Sequence, residues 1–422
     1  MWRSVVAAFL GVLAAAVPSQ TVPAVRQFDV LQTQLRQARA RKDWPASLLA
    51  AQKLQAFLND DPDALLEVAR AEIRVGNTAA AFDELREYVA MGQATDLPRA
   101  ATEFEGLARD ERFRSIAAGM KANEIPISGT TTAFTLHDTA LLAEDIDYDA
   151  RTKRFYITSV REKEIVSHDA AGGESTFARS PDGWPMVAVK VDSVRGVLWA
   201  TEAAMQGLRF APKAAWGKSA LLCYRLKDGI LLRRIDGPPS SDLGDMLLTK
   251  RGEPIVSDGD GGGVYRISSA GSALVRIDAG DFISPQTPAA YPDARHIFVP
   301  DYVRGIGVLD IETKKVRWLS GGGRFALEGI DGMYFERERL IAVQNGTSPE
   351  RVVAFTLNPS RTRIVAERII ARSAATLDPT HAVAIGGFLY YISNSGWSVV
   401  DAHGNLNAGA ALTLPRVMRY RL

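Results

Sequence analysis

The chain has a single cysteine, Cys223, in 422 residues, so it has no internal disulfide to hold it together. It also lacks a charge excess. Fifty basic residues face 49 acidic ones, no long run carries either sign, and the net charge of +1 gives no electrostatic attraction to nucleic acid or an anionic membrane. There is no GxSxG elbow, no HExxH and no Cys-x-x-Cys, which argues against a serine hydrolase of the α/β class and against zinc held in those motifs. GKS at Gly217–Ser219 lacks the earlier glycine of a phosphate loop, a position taken by Pro212.

The N-terminus is more informative. Met1, Trp2 and Arg3 precede an apolar run from Val5 to Val17, and the small residues Ala14, Ala16 and Ser19 follow as cleavage sites. This is the pattern of a secretory signal peptide over residues 1–19. The other reading, a membrane anchor, needs roughly 20 apolar residues, more than this run supplies. No later segment is long and apolar enough to span, so the expectation is an exported protein, periplasmic or secreted, with no membrane span after cleavage. Without disulfides, its stability must come from a large packed core.

Residues 24–125 carry a helical pattern. LLAAQKLQAFL, DALLEVARAEIRVG and AAAFDELREYVAMG place apolar residues three and four apart, the period of one helix face. Asp61, Pro62 and Asp63 start the second segment, Gly76 and Asn77 end it, and Thr78 is the expected cap of the third. Two helices joined at Gly76–Asn77, with Ala69 and Ala81 as small residues at the crossing, resemble a tetratricopeptide unit. Such a unit can dock a protein or peptide partner or act as a structural cap on the next domain. The pattern breaks at Pro126, the expected boundary.

From residue 126 to 422 the period becomes alternating. AEDIDYDARTKRFYITSV, MVAVKVDSVRGVLWATEA, GDMLLTKRGEPIVSDGD, TPAAYPDARHIFVPDY and EGIDGMYFERERLIAVQNG are variants of one hairpin. Asp149 and Asp192 are 43 residues apart, as are Lys250 and Asp293, and Asp293 and Glu336; the longer step from Asp192 to Lys250 contains the insertion QGLRFAPKAAWGKS. A period near forty built from short strands predicts a β-propeller, here all-β with six blades behind an all-α domain. The sixth blade, from His381, lacks an outer strand that TTAFTL, upstream of the first blade, can supply. DGDGGG at Asp258–Gly263 reads as a tight hairpin, since it lacks the downstream acid of a calcium loop. Trp184, Trp199 and Trp318 fit blade cores, while Trp397 follows a strand and can line the channel mouth.

In a propeller the loops leading into the innermost strands converge on one mouth of the channel. Here they bring Glu144, Asp145, Gly244, Asp245, Gln286, Asp331 and His381. Carboxylates, an amide and an imidazole together form a hard-ligand set suited to Ca2+ or another divalent cation. Any one such Asp before Gly can serve simply to bond turn amides. Convergence of several is what points to a ligand.

AEDIDYD, TPAAYPDARHIFVPDY and EGIDGMYFERERLIAVQNG resemble the six-bladed propellers of the senescence marker protein and gluconolactonase family, over Thr131–Leu422. The resemblance implies a divalent cation, usually calcium, held by Glu144, by Gln286 where the family has asparagine, and by Asp331. A further family asparagine falls on Gly244, and the glycine that follows the family's glutamate is Asp145 here. Two of four positions match, so the expectation is a propeller that binds a small molecule or metal at its mouth, with Asp145, Asp245 and Trp397 facing the ligand. The alternative is metal-dependent hydrolysis of lactone-like esters, with Asp331 or His381 as the base.

Overall fold

A computed structural model of the chain describes residues 22–59, 61–97, 102–372 and 378–422. The expected signal segment lies outside them, and no helix among the described residues is long and apolar enough to cross a membrane. Four helices form two successive pairs, α1 (Ala24–Ala40) with α2 (Trp44–Leu58) and α3 (Pro62–Arg74) with α4 (Thr78–Ala90). A fifth, α5 (Glu111–Asn123), packs on α4. Asp61 caps α3, its carboxylate accepting from the Ala64 N–H at 2.7 Å with Pro62 in the first turn. α4 begins at Thr78 itself, with Asn77 rather than Thr78 in the cap position. Ala69 and Ala81 are fully buried where α3 and α4 meet, together with Phe82 and Leu85, as the small-residue spacing implied.

Beyond Ile127 the chain forms six sheets, five of four antiparallel strands and one of five. The first strands of the blades are Ala143–Asp149, Met186–Asp192, Leu243–Leu248, Ala289–Ala290, Ile330–Glu336 and Ala382–Ile385. First strands of neighbouring blades touch around the channel, including those of the last blade and the first, except between Leu243–Leu248 and Ala289–Ala290, where the Thr287 hydroxyl bonds Asp245 instead. The sixth blade takes Thr131–Thr135 as its outermost strand, paired to Arg416–Arg421, and so closes the ring. Closure leaves no free edge between the last blade and the first. Ile127–Ser128 adds a fifth strand to the outer edge of blade five.

Alternate residues of each strand fill the space between blades. Met186, Val189, Leu198, Ala200, Leu222 and Tyr224, for example, pack against Tyr156 and Ile165 of the preceding blade. Polar groups join the blades where strands cannot pair. Asp145, Asp147 and Asp149 alternate along the first strand, so all three point toward blade two; they accept from the Val189 N–H, the Val191 N–H and the Ser193 hydroxyl at 2.6–2.8 Å. A hydroxyl on the second strand of three blades does similar work: Thr158, Thr201 and Ser257 donate to the carbonyls of Val187, Gly244 and Gln286 in the following blade. Thr201 also accepts from the Ala188 N–H at 2.9 Å. Thr201→Val would strand both buried partners, and a loss of about 1–3 kcal/mol in a denaturant titration is expected. An unchanged midpoint would mean that the bridge contributes nothing.

The helical region rests on the face of the propeller where the first strands begin. Leu65 and Met91 pack on Ala326, and the α1–α3 cluster takes in Ile283 and Val303. The Ala24 N–H donates to Gly280 O at 2.8 Å, and Asn59 Nδ2 donates to Leu319 O at 3.2 Å. Arg351, completely buried, donates from Nε to Gln344 Oε1 and from Nη1 to Met91 O at the C-terminal end of α4. A guanidinium there meets the negative end of the helix dipole.

Candidate metal centre at the propeller mouth

The leading ends of four first strands carry a register shift, at Ala143/Ile146, Met186/Val189, Leu243/Met246 and Ile330/Gly332. A bulge re-aims side chains that regular alternation would send elsewhere. In blade one Glu144 lines the mouth, while Asp145, on the strand face of Asp147 and Asp149, turns to blade two. In blade five the bulge follows Gly329, whose positive φ of 63° brings its backbone against Gly346. A Cβ on Gly329 would lie 2.7 Å from the Gly346 carbonyl carbon, so glycine at this contact lets the Asn345–Gly346 hairpin close over Asp331.

Glu144, Asp331 and His381 are buried together, and one ligand atom from each lies within 4.8 Å of the others. His381 Nδ1 is 2.9 Å from the backbone oxygen of Glu144. A carbonyl only accepts, so Nδ1 carries a proton and Nε2 is directed at Asp245 Oδ1, 2.5 Å away, with Asp331 Oδ1 at 3.9 Å. Asp245 is held in turn by the Thr287 hydroxyl at 2.8 Å. Among the described residues no lysine or arginine forms an ion pair with Glu144, Asp331 or Asp245.

The electrostatics follow from this crowding. Burial, and then the charge of Asp331, push the Glu144 carboxyl up to about 8. Burial raises Asp331 to about 7, with Asp245 adding to the effect and His381 opposing it. Burial favours a neutral His381 ring, but the charges of Asp331 and Asp245 outweigh it and raise the imidazole well above its usual value. The His381 imidazolium offsets part of this negative charge, and protons or a metal ion can offset the rest.

Above the triad is a cleft of about 410 Å³ lined by Glu144, Tyr302, Asp331, Asn345, Glu350, Asp378, Trp397 and Ser398. Trp397 lines it as expected, and its indole N–H donates to Glu144 Oε2 at 2.5 Å. The other expected residues are placed differently. Gln286, expected as a ligand, folds its longer side chain back on its own loop, donating to Ser284 Oγ at 3.0 Å, and His381 completes the triad. Asp145 is 1% exposed and bonded to the Lys190 ammonium at 2.6 Å and to two backbone N–H groups, which keeps it from the cleft. Asp245 reaches the site only through His381. With both ring nitrogens hydrogen-bonded, His381 is not a free base, and its Nε2 can serve a metal only by giving up its proton and its contact with Asp245.

Five cleft residues were not singled out from sequence: Tyr302, Asn345, Glu350, Asp378 and Ser398. Asn345 Nδ2 donates to Asp331 Oδ2 at 2.7 Å, and the Tyr302 hydroxyl donates to Asn345 Oδ1 at 3.0 Å. Tyr302 and Asn345 are 43 residues apart, so the repeat itself marks them as the same hairpin position in successive blades.

No family model matches the chain, and no curated protein does. Solved structures do. A gluconolactonase from Xanthomonas campestris aligns at 15% identity over 67% of this chain and 88% of its own, with a TM-score of 0.46. A luciferin-regenerating enzyme aligns at 13% over 70% and 94% (TM-score 0.48), and a virginiamycin B lyase from Staphylococcus aureus at 16% over 61% and 80% (TM-score 0.44). At these identities and scores the likeness does not extend to chemistry.

Proposed function

We propose that this protein binds a divalent cation at Glu144, Asp331 and His381 and, with it, a small polar ligand in the cleft beside Trp397. The observation that supports this most is the burial of Glu144, Asp331 and His381 together, with one ligand atom from each within 4.8 Å of the others and no lysine or arginine paired with them. The donor set fits such an ion: two carboxylates and one imidazole, the imidazole oriented by a carbonyl behind it. A bound cation would polarise a ligand oxygen and offset the charge of the two acids. Trp397 and Tyr302 supply aromatic surface to the cleft, while Asn345 and Ser398 supply hydrogen-bonding groups.

Calorimetric titration of chelator-stripped protein with Ca2+, Mg2+ and Mn2+ tests the reading. One site is expected in the wild type, with a loss of at least about 100-fold in affinity in Asp331→Ala. Absence of heat with every cation would remove it. A second reading, hydrolysis of lactone-like esters, draws on Asp331 alone, because a carboxyl raised to about 7 is suited to a general base near neutral pH. A panel of aldonolactones decides it: no turnover by the loaded protein leaves a binding protein.

The same reading takes the protein to be exported, and takes the solvent side of the helical region as the place where a protein or peptide partner would dock. N-terminal sequencing of the periplasmic or secreted fraction tests export; an uncleaved chain confined to the cytoplasm would refute it. Affinity capture with a variant lacking the exposed α1 side chains tests docking, and unchanged capture would refute that.

A further inference from the structure

Each carboxylate of the triad has one oxygen already engaged by an N–H donor from a neighbouring hairpin. Trp397 Nε1 holds Glu144 Oε2 at 2.5 Å, and Asn345 Nδ2 holds Asp331 Oδ2 at 2.7 Å. An indole nitrogen can only donate, and the Asn345 amide is oriented with its nitrogen to Asp331 and its oxygen to the Tyr302 hydroxyl. Each acid therefore retains one uncommitted oxygen, and Asp331 Oδ1 is the one that faces His381 Nε2.

Resting on the cation reading of the mouth, we infer that Asn345 and Trp397 are positioning residues that keep Asp331 and Glu144 monodentate, so that the site selects a transition cation such as Mn2+ over Ca2+. Calcium takes six to eight oxygens, commonly with bidentate carboxylates, and tolerates a loose shell. Two single oxygens and an imidazole nitrogen, the latter once Nε2 is freed of its proton and of Asp245, make a smaller and less purely oxygen set than calcium takes. The hairpins carrying Asn345 and Trp397 belong to blades five and six, so the preference would be built by loops outside the ligand strands themselves.

The test uses the full chain, stripped with chelator and titrated separately with Mn2+ and Ca2+ by calorimetry, with Mn2+ paramagnetic resonance as a second reading of bound ion. In the wild type Mn2+ should bind more tightly than Ca2+. Asn345→Leu keeps the branched shape and removes the donor, and Trp397→Phe removes the donor with part of the ring; each should narrow the Mn2+/Ca2+ ratio by severalfold, because the released oxygen becomes available for bidentate contact. Calcium binding as tightly as manganese to the wild type overturns the inference without any variant. A ratio that keeps its wild-type value in both variants, whether or not the affinities fall, removes the positioning role. Binding of neither ion removes the cation site itself, a different failure from a site that binds calcium best.

Discussion

A chain beginning at Gly129 is expected to aggregate or to melt far below the full-length protein, although the change from helical to alternating pattern falls at that point. The helical region is part of what buries the upper face of blades four and five. Removing it uncovers Ile283, Val303 and Ala326 and takes away the carbonyl that satisfies Arg351. Arg351 would keep Gln344 and have Glu367 4.0 Å away, but its Nη1 would lose its acceptor, and a buried donor left unpaired costs about 1–3 kcal/mol, more for a charged group. Ser348 would lose both of its contacts, the Gln93 side-chain oxygen and the Ala94 N–H. Gel filtration and a circular-dichroism melt check the outcome: a monodisperse product melting within a few degrees of the full chain would show that the propeller stands alone. Arg351→Met in the full chain separates the charge from the loss of area. It should cost much less than the truncation, since a buried ion replaced by an apolar side chain of similar volume is often near neutral.

The second large effect is a pH-dependent stabilisation by divalent cation. Free carboxyls titrate near 4, whereas in the folded chain Glu144 and Glu350 are raised to about 8 and Asp331 and Asp61 to about 7, burial being the leading cause in each. Between those values the folded chain holds protons that the unfolded chain has released, so metal-free stability falls as pH rises from about 4 to 8. His381, raised above its usual value, acts in the same direction, since its contribution is lost as pH rises through its folded value. A divalent cation replaces those protons at Glu144 and Asp331. At hundredfold excess over Kd it should add about 2.7 kcal/mol, several degrees in Tm, at pH 8. At pH 5 the same addition should do little, because protons hold the ligand carboxyls. Differential scanning calorimetry at the two pH values, with Asp331→Ala as control, checks it. Equal stabilisation at both pH values, or in the variant, would place the effect elsewhere.

The blades were legible because a strand with one buried face repeats every two residues and a blade repeats about every forty-three, both visible in a linear text. TTAFTL was recognisable as the closing strand for the same reason: a sixth blade with three strands needs a fourth. Glu144, Asp331 and His381 could be found because a residue at the leading end of a first strand must arrive at the mouth. Gln286 shares that position, but its side chain was settled by Ser284 two residues away, a choice that spacing does not encode. Asp145 likewise reads as a mouth acid, but it shares a strand face with Asp147 and Asp149 and is taken by Lys190 and the Val189 N–H of blade two.

By itself, then, the sequence determined the helical and propeller segments, the blade count and the residues delivered to one mouth, since all of these follow from periodicity. Only the tertiary structure decided what those residues do there. Whether His381 Nε2 is available to a ligand depends on the Glu144 carbonyl, and which oxygens of Glu144 and Asp331 remain uncommitted depends on Trp397 and Asn345. Those partners lie 237, 253 and 14 residues along the chain, and hydrogen-bond direction between them is set by how blades and hairpins are oriented in space. The helical region follows the same division. Its apolar faces announce that something must cover them, but the propeller mouth as that partner emerges only when the elements are packed together.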